Sequence, residues 1–186
     1  MASDDSIETW DHGNRDYVLT GSKQVTLQQA NRFLATKQPA QAAPLFARLA
    51  EVLADEDHPR HAANLHAQAA QAFADSHNEA AALRQARAAL NLFLEYQMDQ
   101  RTPVFYANIT HKLNAQGMPG AAEALALEFG AKLPQPAPVT PPAGLTARLP
   151  TSCPQCGAPL RNHEAHWVDD TTIECPYCGG LIRPAD

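Results

Sequence analysis

Residues 75–89 read DSHNEAAALRQARAA, and this stretch decides the fold. A polar break, Asp75-Ser76-His77-Asn78, is followed at once by apolar residues at spacings of three and four: Ala82, Leu83, Ala86, Ala89, Leu90 and Phe93. That is the periodicity of a helix with one apolar face, predicted over 78–97. On the other side of the break, Ala62, Leu65, Ala69, Ala72 and Phe73 give a helix over 60–75. Two helices joined by so short a break must run antiparallel. The alanines leave room for close approach of the two backbones.

The same unit recurs on both sides. Upstream, Leu27, Ala30, Phe33 and Leu34 mark a helix over 26–37, with Thr26 as its N-cap. Pro39 opens the next, at a position where the missing N–H costs nothing. That helix carries Ala43, Phe46, Ala47, Leu49, Ala50 and Leu53 inward, and Asp55-Glu56-Asp57 with Pro59 ends it. Downstream, helices over 102–115 and 119–132 are separated by Gly117 and Pro119. Leu34, Phe73 and Leu113 fall in one series, spaced by 39 and 40 residues. Ala43, Ala82 and Ala122 form a second, Ala47, Ala86 and Ala126 a third, and Ala50, Ala89 and Phe129 a fourth. A fixed period of this length predicts stacked helical hairpins.

Segments 36–50, 75–89 and 115–129 resemble the tetratricopeptide family, through those alanines and the break at Gly117 followed by Ala122. The resemblance covers about 110 residues. It departs from the family in its longer period and in lacking the early Trp-x-x-Leu-Gly residues; here the stretches read Leu27-Gln28-Gln29-Ala30-Asn31 and His66-Ala67-Gln68-Ala69-Ala70. The fold class expected is mainly α: three antiparallel helical hairpins, tetratricopeptide-like, followed by a small β-rich zinc ribbon. In such an array the first helix of each pair lines the inner surface. Gln28, Arg32, Asn64, Gln71, His111 and Asn114 are then expected to face a shallow polar groove that suits a peptide.

The ribbon is read from the last 36 residues, 151–186. They contain Cys153-Pro154-Gln155-Cys156-Gly157 and Cys175-Pro176-Tyr177-Cys178-Gly179-Gly180, with eighteen residues between the inner cysteines. This is the spacing of a zinc site. Two thiolates separated by two residues grip one ion from a tight turn, and two such turns complete a tetrahedral site. Cys153, Cys156, Cys175 and Cys178 are expected to hold one structural Zn2+. The segment resembles a zinc ribbon, with strands expected at 165–168 and 172–174 joined at Asp169-Asp170. Leu160, Trp167, Ile173, Leu181 and Ile182 supply its small core. His163 and His166 are read as polar hairpin residues, because four thiolates fill the site. A closed thiolate site keeps no open position for catalytic water.

Six prolines between 134 and 150 mark a linker, across which few contacts are expected. The organisation expected is therefore a flexible tail (1–24), a helical-repeat domain (25–133), the linker (134–150) and the ribbon (151–186).

Charge and composition restrict function. Residues 1–25 and 151–186 each carry five acids against two bases, whereas 26–150 are balanced, which together give the net charge of -6. No segment has the basic patch of a nucleic-acid binder. No apolar run approaches the length of a membrane span, and no basic segment followed by an apolar run opens the sequence. A cytoplasmic protein without membrane attachment is expected. Paired Cys-x-x-Cys motifs agree, being metal ligands before disulfides in such a compartment.

The chain shows no Gly-rich phosphate loop, no Gly-x-Ser-x-Gly elbow and no His-Glu-x-x-His helix. His58, His61 and His66 are read as a solvated face, and no enzyme is expected. The leading expectation is a non-enzymatic adaptor that contacts protein partners through its hairpins and ribbon. One alternative is a nucleic-acid-associated zinc ribbon, opposed by the acidic balance of the tail. Another is an iron electron carrier resembling rubredoxins, since tetrahedral thiolates suit both metals.

Overall fold

Five turns of one kind set the architecture of the helical part. Lys37, Asp57, His77, Gln97 and Gly117 all have positive φ, between 52° and 76°. They are spaced by twenty residues throughout. In each turn the following N–H bonds back to a carbonyl five residues earlier: Gln38 to Phe33, His58 to Leu53, Asn78 to Phe73, Met98 to Phe93 and Met118 to Leu113, at 2.8–2.9 Å. This is the Schellman arrangement, which satisfies carbonyls that a helix end leaves without partners. Four of the five left-handed positions are not glycine, at a cost of roughly 1–2 kcal/mol each. The large residue that accepts the bond is buried or partly buried in every case, which holds the turn in place.

The structure, a computed structural model, describes residues 19, 21–99, 101–134, 150–153, 160, 166–169, 172–174 and 181–182. Residues 1–18 and 20 of the expected tail (1–24), most of the linker, Cys156, Cys175, Cys178 and His163 lie outside the described residues; residues 21–24 are helical, which corrects the expected boundary of the tail. The turns separate six helices: α1 (Gly21–Ala35), α2 (Pro39–Asp55), α3 (Pro59–Asp75), α4 (Glu79–Glu95), α5 (Arg101–Ala115) and α6 (Pro119–Phe129), the last continuing as a 3-10 turn. Proline starts α2, α3 and α6, and Asn78 caps α4 by accepting from the Ala81 N–H at 3.2 Å. α1 begins at Gly21, so Thr26 is not an N-cap. Its hydroxyl donates to the Ser22 carbonyl at 2.8 Å, one turn back within the helix.

Each helix packs on the next, and α3 also meets α5 while α4 meets α6, as in an array of hairpins. The described residues are mainly helical, with an arrangement compatible with a helical repeat. The twenty-residue turns correct the register expected from sequence. The first series is Phe33, Phe73 and Leu113, not Leu34, Phe73 and Leu113. The alanine series is Ala42, Ala82 and Ala122, all buried. The shift arose because Phe33-Leu34 and Ala42-Ala43 each offer two similar residues.

Interhelical polar contacts follow the same hairpin-to-hairpin step. Lys112 Nζ of α5 lies 2.7 Å from Asp75 Oδ2, and Arg87 Nε of α4 lies 2.6 Å from Glu128 Oε2 of α6. Glu79, in the first turn of α4, reaches across to α6. Its Oε1 accepts from the Ala121 N–H at 3.1 Å. Met118, the residue at the cap position of α6, makes no side-chain cap of its own. A carboxylate at a helix N-terminus satisfies an orphan donor and complements the dipole. Glu79→Ala is therefore expected to cost about 1 kcal/mol, lowering the melting temperature by roughly 2–4 °C. Thermal melts followed at 222 nm check it, and an unchanged midpoint would refute the cap.

Among the described residues the C-terminal segment contains three short antiparallel strands: β1 (His166–Asp169), β2 (Thr172–Glu174) and β3 (Leu181–Ile182). Trp167 pairs with Ile173, and β1 is irregular between Trp167 and Asp169. Ile173 pairs with Ile182, and Glu174 with Leu181. β1 and β2 lie within a residue of where the sequence places them.

Two hydrophobic clusters divide the core. One joins α3 to α4, α5 and α6, around Phe93, Ile109, Leu113 and Phe129. The other joins α1, α2 and α3, around Leu27, Phe46, Leu53 and Leu65, and it also contains Cys153, Ile173 and Ile182. The expectation of few contacts across the linker does not hold for these residues. Strands this short cannot cover their own isoleucines, so the helices supply the cover.

Candidate metal centre

The described backbone pairs residues that flank both cysteine pairs. Glu174 and Leu181 are strand partners, so residues 175–180, which carry Cys175 and Cys178, connect two paired positions. At the other pair the Leu160 N–H donates to the Thr151 carbonyl at 3.1 Å. Thr151 and Leu160 flank the stretch that carries Cys153 and Cys156. Cys153 itself is 2% exposed. Two pairs of thiols, each pair flanked by paired backbone, are chemically suited to one tetrahedral divalent ion. Burial of a thiol in apolar surroundings disfavours its charged form, and a bound metal cation reverses that preference. Among the described residues no group of three His, Cys, Asp or Glu side chains lies together in metal-binding proximity; three of the four cysteines are outside that set.

The six groove candidates do not share one environment. Gln28 and Arg32 on α1 and His111 and Asn114 on α5 are exposed. Gln71 on α3 is half-buried. Asn64 is buried, and its Oδ1 accepts from the Arg101 guanidinium. It serves to tie α3 to α5 rather than to offer an amide to solvent.

Sequence reasoning missed a buried polar layer on α3. Twelve of its seventeen residues are buried, including His61, Asn64, His66 and Gln68. The His66 Nδ1–H donates to Gln85 Oε1 of α4 at 2.6 Å. The rings of His58 and His61 meet edge to face with centroids 6.4 Å apart. Burial, with His58 and Arg101 as like charges nearby, lowers the His61 pKa to about 4. His66 is lowered too, by burial, against the opposing pull of the Gln85 hydrogen bond and of Glu51. The reading of these histidines as a solvated face is thus corrected for His61 and His66. The available signal was alanine on every side of α3, at 62, 63, 67, 69, 70, 72 and 74. A helix with small apolar residues all round is buried all round.

Comparisons with protein-family models, with curated proteins and with solved structures find no match to this chain. No helix among the described residues is long and apolar enough to cross a membrane.

Proposed function

We propose that the chain is a non-enzymatic adaptor: a tetratricopeptide-like helical array joined to a zinc ribbon, with Cys153, Cys156, Cys175 and Cys178 holding one structural Zn2+. One observation carries the reading. Each Cys-x2-Cys pair is flanked by residues whose backbones pair, Thr151 with Leu160 and Glu174 with Leu181. In this reading the two pairs bring four thiolates to one ion, and bound zinc supplies a cross-link between them, not a reaction centre.

The helical part supports the interaction role. It has exposed polar residues along α1 and α5, and a rigid frame of repeated turns to hold them. In this reading the metal fixes the shape of the C-terminal segment, while the array presents side chains to a protein partner.

The test begins with metal content. Native mass spectrometry of the full chain, purified without added chelator, is expected to give one zinc per chain and a colourless protein. A red, iron-containing protein would establish the rubredoxin-like alternative instead. Cross-linking in the native host then addresses the partner. Cross-links to one protein that concentrate on Arg32 or other exposed residues of α1 and α5 support the adaptor. Salt-sensitive retention of the chain on nucleic acid, without such a protein, would replace it.

A further inference from the structure

Described residues from before and after the helical array meet in one hydrophobic cluster. Ile173 is fully buried and Ile182 is 3% exposed. They are direct partners across β2 and β3, so their side chains lie on one face of the sheet. Both belong to the cluster built by α1, α2 and α3, as do Cys153 and the partly buried Leu160. Leu19, which precedes α1, is 5% exposed within the same cluster. The other cluster, around α4, α5 and α6, contains none of these residues. The C-terminal sheet therefore belongs with the first hairpin and not with α6, the helix that precedes it in sequence.

The linker is long enough for this return. Neighbouring helices pack at about 8–10 Å, so the path from the last hairpin to the first is on the order of 20–30 Å. The chain between Pro134 and Pro150 reaches roughly 50 Å when extended.

We propose that the face of α1–α3 that carries this cluster is a docking surface for the chain's own C-terminal sheet, covered only while a metal ion holds the two cysteine pairs together. The proposal rests on the zinc reading above. The reason for the coupling is size. Strands of two to four residues hold Ile173 and Ile182 in register only if the chain beside them is fixed. Without the metal the isoleucines have no fixed face to present, and the apolar residues of α1 and α2 lose their cover. The metal state of the tail thereby sets whether an apolar surface on the array is open.

Hydrogen exchange on the full-length chain, read peptide by peptide, tests this in three forms: zinc-loaded, chelator-treated, and Ile173→Asp. Metal content is measured separately on each by native mass spectrometry. Chelation is expected to speed exchange in α1 and α2 by about tenfold or more, with α5 and α6 unchanged. Ile173→Asp is expected to do the same. If the wild-type chain binds one zinc and its removal leaves α1 and α2 unchanged, the docking is overturned. Equal acceleration in all six helices also overturns it, since that reports global opening. If the chain binds no zinc, the metal reading and the metal dependence fall together, and Ile173→Asp decides the docking alone. Faster exchange in α1 and α2 then supports it, and unchanged exchange overturns it.

Discussion

Cys175→Ser is expected to abolish zinc binding at stoichiometric metal and to leave residues 151–186 without stable structure. The argument is one of scale. The described sheet has three strands of four, three and two residues, well below what stands alone in water. Burying its two isoleucines contributes only about 1.5–3 kcal/mol each. Fixing thirty or more residues costs far more in conformational entropy. A structural zinc ion bound by four thiolates supplies roughly 10–16 kcal/mol in small zinc domains, and that energy is folding energy. Serine removes one ligand and leaves an open, hydroxyl-lined position. The helical part holds no cysteine, and the cluster around Phe93, Ile109 and Phe129 lies between helices only. The far-UV signal at 222 nm should therefore persist, while native mass spectrometry loses the zinc and peptides from 151–186 exchange fully. A variant that still carried one zinc, or one that lost its whole helical signal, would contradict the assignment.

The legible part of this chain was the part written in short-range chemistry. Cys-x2-Cys spacing raises the proposal of a metal site without any knowledge of the fold, because two residues between thiolates is a property of one turn. Helix periodicity is similarly local, and six helices lie close to where alanine and leucine spacings put them. The register of the repeat was harder. Pairs such as Phe33-Leu34 and Ala42-Ala43 satisfy a forty-residue period about equally well, and only the backbone at Lys37, Asp57, His77, Gln97 and Gly117 resolves them. Four of those five residues carry no turn signal as strong as glycine. They adopt positive φ because the Schellman bonds and the anchored Leu or Phe leave no alternative. Burial of His61 and His66 was hidden for a different reason. Histidine is polar in any scan, and its cover comes from Gln85 and Arg101, nineteen and forty residues away. The return of Ile173 and Ile182 to α1–α3 was hidden most deeply. A proline-rich linker states how far a segment can go, not where it comes to rest.

Stability of the helical part is expected to fall as the medium is acidified from pH 7 to pH 4, and His61 is the main reason. In the unfolded chain this histidine takes up a proton near 6.5; in the fold it does so only near 4. Between those values the unfolded state binds more protons, so lowering pH pulls the equilibrium toward it. The stability that depends on neutral His61 is thus fully present above 6.5 and is lost as pH falls toward 4. His61 is 3% exposed, and a protonated imidazole there would lose most of its hydration and be repelled by Arg101 and His58. A shift from 6.5 to about 4 corresponds to about 2 kcal/mol lost at pH 5 and about 3 kcal/mol lost below pH 4. His66 acts in the same direction, because its pKa is also lowered by burial; the Gln85 hydrogen bond and Glu51 moderate it. Urea titrations at pH 7 and pH 5, followed by circular dichroism on protein at fixed metal content, measure the difference. His61→Gln keeps a polar side chain but cannot titrate. It should reduce the loss between pH 7 and pH 5 by more than half, whatever it does to stability at pH 7. If the variant retained the full pH dependence of the parent, the acid sensitivity would belong to other groups, and the buried histidine layer of α3 would not control it.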